Sequence, residues 1–217
     1  MTPHLQTFLM QAIQSFQNGQ LVSADSMLRR VLQIDAKNFL ALQILGLIQA
    51  MQGNYSNAVE FLGRAARIQP EDPAVRYNLA KALLDCGRSK ESLPHHQKAV
   101  ELAPNNPEAW LNYGKAMADL AEYEKALVYY ETALRLNPNY AEAIYNIATL
   151  QLHLKNYSQA LSHYDQALAL KPDYAEALLN KSNALYELHH YNEALRHYDQ
   201  ALALKPDYAE AYSNKGN

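Results

Sequence analysis

The stretch HYDQALALKPDYAEA, residues 163–177, returns unchanged at residues 197–211, an offset of 34 residues. Prolines keep that spacing in both directions, at 70, 104, 138, 172 and 206, and Ala36 stands where one more would fall. A fixed period of this length marks a chain built by stacking one supersecondary unit, so it governs the fold before any local motif does. With the proline at repeat position 32, the units are 5–38, 39–72, 73–106, 107–140, 141–174 and 175–208, followed by a partial seventh at 209–217. A single solenoid domain over 1–217 is expected, in which each repeat buries its apolar face against its neighbours only.

Composition narrows the function classes. Apolar residues make up 49% of the 217 and charged residues 19%, the balance of a folded chain. A net charge of −3 supplies no basic field, so nucleic acid is not an expected partner. Cys86 stands alone, which gives neither a disulfide framework nor metal-ligand spacing and fits a reducing, cytoplasmic setting. The opening MTPHLQTFLM has no basic n-region and no small-residue cleavage site. No apolar run reaches bilayer-spanning length, so no membrane partner is expected.

Each unit reads as two helices, A then B, of about a dozen residues. Repeat position 8 is Ala12, Gly46, Ala80, Gly114, Ala148, Ser182 and Gly216, small in every unit. Position 20 is Ala24, Ala58, Ser92, Ala126, Ala160 and Ala194, and position 27 is Val31, then Ala65, Ala99, Ala133, Ala167 and Ala201. Small residues at these three positions let helix A nest closely on helix B. Bulk returns at position 24, with Leu28, Leu62, His96, Tyr130, Tyr164 and Tyr198, while position 30 is always Ile or Leu.

This pattern resembles the tetratricopeptide repeat (TPR) family, and the resemblance covers nearly the whole chain. Unit 107–140 carries it best, through Trp110, Gly114, Ala126, Tyr130, Ala133 and Pro138. It implies an all-α fold, a right-handed TPR superhelix of antiparallel helix pairs, and a concave groove lined by A helices. Fold alone does not name a function, which has to come from a site.

Helix-boundary signals agree with two helices per unit. Asn139-x-x-Glu142, Asp173-x-x-Glu176 and Asp207-x-x-Glu210 read as capping boxes. Asp72-Pro73 and Asn106-Pro107 read as a cap followed by proline in the first turn. Gly53 and Gly87 at position 15 mark the turn between A and B. Pro94 departs from the pattern at position 22, inside helix B, so that helix either starts late, near Ser89 or Ser92, or bends. Unit 1 is more apolar on its A helix, as a terminal unit can be. The final YSNKGN breaks off within a seventh A helix, so an N-terminal piece of a longer protein, or an open end that packs on another molecule, is expected.

In the TPR family, positions 2, 5, 6, 9, 12 and 13 point into the groove. From unit 3 onward, position 6 is Asn78, Asn112, Asn146, Asn180 and Asn214, after Met10 and Ile44. An amide that both donates and accepts can hold a peptide backbone whatever its side chains. The ladder resembles that of the TPR arm of O-linked N-acetylglucosamine transferases of the Spindly-like kind. The same asparagines could equally bond a neighbouring helix or water. Tyr77 and Tyr145 at position 5, with Lys81, Lys115 and Asn183 at position 9, complete the candidate groove. Position 2 of units 4 to 7 is Glu, which argues against a clamp for C-terminal carboxylates and suits helix N-termini.

Nothing in the sequence reads as catalytic. His95-His96 and His189-His190 are adjacent pairs that diverge on a helix, and His163 and His197 are copies at position 23. No metal motif, Gly-rich phosphate loop or convergent triad accompanies them, so no cofactor is expected. The sixteen tyrosines fit packing at positions 17, 24 and 34. The expected function is a scaffold binding an extended or helical polypeptide in the A-helix groove. The alternatives are a substrate-recognition arm with a glycosyltransferase domain beyond residue 217, and a module that self-associates through its C-terminal end.

Overall fold

The structure, a computed structural model, describes residues 3–215. The described residues form thirteen α-helices and no strand. Two compact bodies divide at Ala116 and Met117. The first holds α1 (Pro3–Gln17), α2 (Leu21–Ile34), α3 (Phe39–Met51), α4 (Tyr55–Ile68), α5 (Pro73–Asp85), α6 (Ser89–Leu102) and most of α7 (Pro107–Asp119). The second holds α8 (Tyr123–Leu136), α9 (Ala141–His153), α10 (Tyr157–Leu170), α11 (Ala175–Glu187), α12 (Tyr191–Leu204) and α13 (Ala209–Lys215). Odd-numbered helices are the A helices of the repeats and even-numbered ones the B helices. Within each body A packs on its own B, and α2, α4, α8, α10 and α12 each pack on the A helix that follows, as in α3–α4–α5 and α9–α10–α11. Gly216, the small residue expected in the seventh repeat, lies outside the described residues.

The small positions form the seam. Every residue at positions 20 and 27, from Ala24 to Ala201, is at most 1% exposed. The fit is tight in repeat 2, where a Cβ built on Gly46 would lie 2.5 Å from Cγ of the fully buried Leu62. The first body then fills with aliphatic bulk: Leu9, Leu28, Leu42, Leu45, Ile48 and Leu62 belong to one cluster. The second body uses tyrosine at the same layer, with Tyr164 and Tyr198 both buried.

The A-to-B turn adopts one backbone conformation throughout. Gly19, Gly53 and Gly87 have φ of +73° to +75°, and Ala121, Lys155 and His189 hold the same place in later repeats at +59° to +63°. Glycine is free in this left-handed region, whereas a residue with a Cβ is strained there.

Caps divide along the chain in a way that corrects the capping-box reading. Asn38, Asp72 and Asn106 stand at position 34 and do cap: their side-chain oxygens accept from Ala41 (3.1 Å), Val75 (2.8 Å) and Ala109 (3.3 Å) N–H groups. In later repeats position 34 is Tyr140, Tyr174 and Tyr208, and α9 and α11 start after a tyrosine that makes no side-chain cap. Asn139, Asp173 and Asp207 each sit one residue too early. Asn139 and Asp173 contribute a backbone carbonyl, 3.1 Å from the Ala141 and Ala175 N–H groups. A one-residue shift carries the side-chain oxygen away from the third-residue amide, in the first turn, that a capping box needs.

Of the two starts considered for the helix with Pro94, the structure has the earlier one, at Ser89. α6 begins at Ser89, the same repeat position at which α4, α8, α10 and α12 begin, and Pro94 is exposed inside it. Proline offers no N–H to the Lys90 carbonyl one turn back. Buried Ser92 lies within that gapped turn, two residues before Pro94, and donates its hydroxyl to the Ser89 carbonyl at 2.7 Å. Pro94→Ala restores the missing donor and should raise the unfolding free energy by about 2 kcal/mol. Ala121→Gly should raise it by about 1 kcal/mol and Gly53→Ala should lower it by about as much, both read from urea midpoints.

Candidate functional site

The A helices carry a polar row that links each A helix to the next one in the same body. In the first body, Tyr77 on α5 donates its hydroxyl to Glu108 Oε2 on α7 (3.0 Å) and accepts from Asn112 Nδ2 (3.3 Å). In the second, Tyr145 on α9 accepts from Asn180 Nδ2 on α11 (3.0 Å). Both pairs are 35 residues apart, joining position 5 of one repeat to position 6 of the next. Asn183 on α11 accepts at one oxygen from Asn214 Nδ2 on α13 (3.1 Å) and from the Tyr198 hydroxyl (2.6 Å). Asn146 on α9 is the exception: its Nδ2 is enclosed and has no partner among the described residues.

The remaining candidates are placed as follows. Asn78 is half-buried in a 290 Å³ cleft with Leu47, Met51, Tyr55, Lys81 and Asp85, and Lys81 is held by Asp85 at 2.9 Å. Lys115 is half-buried on α7. The structure therefore joins Tyr77 to Asn112, Tyr145 to Asn180 and Asn183 to Asn214, and spends one amide hydrogen of three ladder asparagines on a neighbouring helix.

A second polar layer was hidden in residues read as packing. Tyr164 and Tyr198, at position 24 of helix B, turn their hydroxyls toward position 9 of helix A: Thr149 lies 3.3 Å from Tyr164, and Asn183 accepts from Tyr198. Thr149 Oγ1 also donates to the Tyr145 carbonyl (3.0 Å), so the Tyr164 hydroxyl is the donor in its pair. Tyr174, at the uncapped position 34, packs its ring 4.8 Å from that of Tyr145. The sequence signal was the coincidence of tyrosine at 24 with a neutral polar residue at 9, which occurs in repeats 5 and 6 only.

Beside this layer lies a 470 Å³ cleft bounded by Leu152, Tyr157, Asn183, Tyr186, Glu187 and Tyr198, with His153, Lys155 and Asn214 also at its edge. The Tyr157 hydroxyl donates to Glu187 Oε2 at 3.1 Å, which fixes a carboxylate at one wall. Burial, reinforced by Tyr186, Glu210 and Glu187, pushes the Tyr198 phenol up to about 12.

The histidines gather nowhere. His163 and His197 bond to Gln159 and Gln200 on their own helices, and His95 Nδ1 lies 3.0 Å from Arg76 Nη1, which donates to it. Among the described residues no three His, Cys, Asp or Glu side chains converge as a metal site. His96 is fully buried, stacks on Tyr113 at 5.7 Å, and leaves both ring nitrogens without a hydrogen bond. Burial, then the neighbouring His95 and Lys81, lowers its pKa to about 3.

Paired antiparallel helices at a 34-residue period, with small residues at the seam, define a helical-hairpin solenoid. The tetratricopeptide repeat family model matches residues 3–148, a second matches 141–174, and a TPR repeat model matches 182–217. The chain belongs to the tetratricopeptide repeat family, whose members are generally protein-interaction scaffolds. Solved structures agree on the fold. PilW, a type IV pilus biogenesis factor, matches at 20% identity and TM-score 0.84, over 99% of each chain. PilF of Pseudomonas aeruginosa matches at 21% and 0.78, over 98% of this chain and 96% of its own. YrrB, described as a TPR protein with an unusual peptide-binding site, matches at 18% and 0.65, over 88% and 98%. No curated protein matches the chain.

His96 makes the fold acid-sensitive with a definite sign. Its folded-state pKa lies below the ordinary 6.5, so between about pH 6.5 and 3 the unfolded chain binds a proton that the folded chain refuses. Stability contributed by this site is present above pH 6.5 and is lost as pH falls. Position 24 is leucine in repeats 1 and 2, so His96→Leu is a size-matched control. Over that range, its stability relative to the parent should grow by about 1.4 kcal/mol per pH unit of acidification, measured by urea unfolding.

Proposed function

We propose that the chain is a scaffold taking an extended or helical polypeptide segment along its A-helix face. The observation that carries this reading is the way tyrosine orients the asparagine ladder. In Asn112 and Asn180 the amide nitrogen is committed to a tyrosine hydroxyl, and the amide oxygen has no partner among the described residues. An acceptor fixed in this way before binding can take a backbone N–H of a ligand with little ordering cost on the scaffold side. Asn146 adds an enclosed donor that lacks a partner, a group that costs free energy until one is supplied.

Because the contacts are to backbone, recognition should tolerate many ligand sequences, and the affinity should come from several modest hydrogen bonds along a preformed face. The transferase-arm alternative rests on the same asparagines and requires a catalytic domain elsewhere in the full gene. The scaffold reading needs only the residues described, and it stands first.

Binding of a peptide library to the chain, compared with the Asn112→Ala, Asn146→Ala, Asn180→Ala triple variant, tests the reading. Sequence-tolerant binding should weaken roughly 150-fold in the triple variant, as expected for three lost hydrogen bonds of about 1 kcal/mol each. Unchanged affinity would place the ligand off the asparagine row. If no peptide binds and the mass in solution rises with concentration, self-association takes its place.

A further inference from the structure

We propose that the polypeptide bound by the second body presents lysine or arginine, and that one such side chain seats in the 470 Å³ cleft between Tyr157, Tyr186 and Tyr198, opposite the carboxylate of Glu187. The proposal rests on the A-helix face being a polypeptide-binding face, and adds which polypeptides it selects.

Three independent observations lead to a cationic occupant. The first is the build of the cleft. Its walls carry three tyrosine rings, whose faces attract cations, and a carboxylate immobilised by the Tyr157 hydroxyl at 3.1 Å. Glu187 is exposed and forms no ion pair among the described residues, so its charge is available to a ligand. Tyr198 donates to Asn183 at 2.6 Å, which holds its ring in place as a wall.

The second observation is that this body already sets two of its own lysines over tyrosine rings, and pairs one of them with a glutamate as well. Lys171 sits 4.3 Å from the ring centre of Tyr174, and Lys205 sits 4.7 Å from that of Tyr208 while reaching Glu176 at 3.6 Å. The combination of tyrosine and glutamate at Tyr157–Glu187 is the comparable site whose cation the chain does not itself supply.

The third is charge. Residues 117–217 carry thirteen Asp and Glu against eight Lys and Arg, whereas residues 1–116 carry nine against eleven. The acidic excess lies in the body that holds the cleft. Glu210 and Glu187 both add negative potential at the Tyr198 hydroxyl. An acidic ligand would meet this field as repulsion and a basic one as attraction.

Lys155 and His153 at the cleft edge work in the opposite sense, and Lys155, exposed and without an ion pair among the described residues, supplies a two-sided test. One extended peptide is synthesised in three forms, with Lys, Ser or Glu at alternate positions, and binding to the full chain is measured at low and high salt. The Lys form should bind tightest and lose its advantage in high salt. Glu187→Gln should weaken the Lys form about fivefold or more while leaving the Ser form unchanged, and Lys155→Gln should strengthen the Lys form. Glu187→Lys should transfer the preference to the Glu form. Both side chains are exposed, so the variants should keep the parent's helical circular dichroism. If Ser and Glu forms bind as tightly as the Lys form, the basic-ligand inference fails and the general peptide reading survives. If no form binds, both fail.

Discussion

The close approach of the two helices within each repeat is the constraint on which everything else depends. It is met by a small residue at three places in nearly every repeat, Val31 being the larger exception, and the sites at positions 20 and 27 from Ala24 to Ala201 are correspondingly sealed from solvent. Gly46 shows how little room is left, since even a methyl group there would run into Leu62. Close packing of this kind fixes the angle at which A meets B. Fixing that angle in every repeat brings position 5 of one A helix beside position 6 of the next, so a hydrogen bond such as Tyr145–Asn180 follows from the seam beneath it.

The same seam allows the layer above it to change character. In the first body position 24 is leucine in repeats 1 and 2, and the core is aliphatic. In repeats 5 and 6 the tyrosines at that position bury their rings and deliver hydroxyls to Thr149 and Asn183 on helix A. A tyrosine there is apolar in the core and polar at its tip, so one residue serves packing and site together. His96 has the wrong length for either task. It keeps the ring stack with Tyr113 but leaves two nitrogens unbonded. In the same helix, Ser92 replaces the usual alanine and Pro94 interrupts the hydrogen-bond ladder, so repeat 3 concentrates the departures from the pattern.

Fold and repeat boundaries were legible because they depend on composition at fixed positions: proline at 32, small residues at 8, 20 and 27. One local reading failed for a specific reason, and one was left open. The Asn139, Asp173 and Asp207 boxes matched the spacing of a cap but stood one residue out of register, and only the Asn38, Asp72 and Asn106 positions reveal where the cap belongs. Pro94 left a start near Ser89 or Ser92 and a bend both open on propensity; α6 packs on α5 and starts at Ser89, in the register of the other B helices. Tertiary contacts outweigh a local preference of a few kcal/mol. The ladder asparagines were legible as residues. Their commitment to tyrosines 35 positions away was not, because that pairing is set by the stacking of whole repeats.

The turn residues show how the later repeats tolerate local cost. Where the early repeats place glycine at position 15 and a true cap at 34, the later ones place Ala121, Lys155 or His189 in a left-handed turn and tyrosine at the cap. Each exchange gives up local stability and gains a side chain at the surface or on the A-helix edge: Lys155 reaches the cleft rim, and Tyr174 packs against Tyr145. In a solenoid such costs are shared across repeat interfaces, since each unit is stabilised by its neighbours as well as by itself. Strained turns and missing caps beside a tyrosine-rich polar face fit a division along the chain, in which the early repeats favour local stability and the later ones give up part of it for polar and aromatic side chains on the A-helix face.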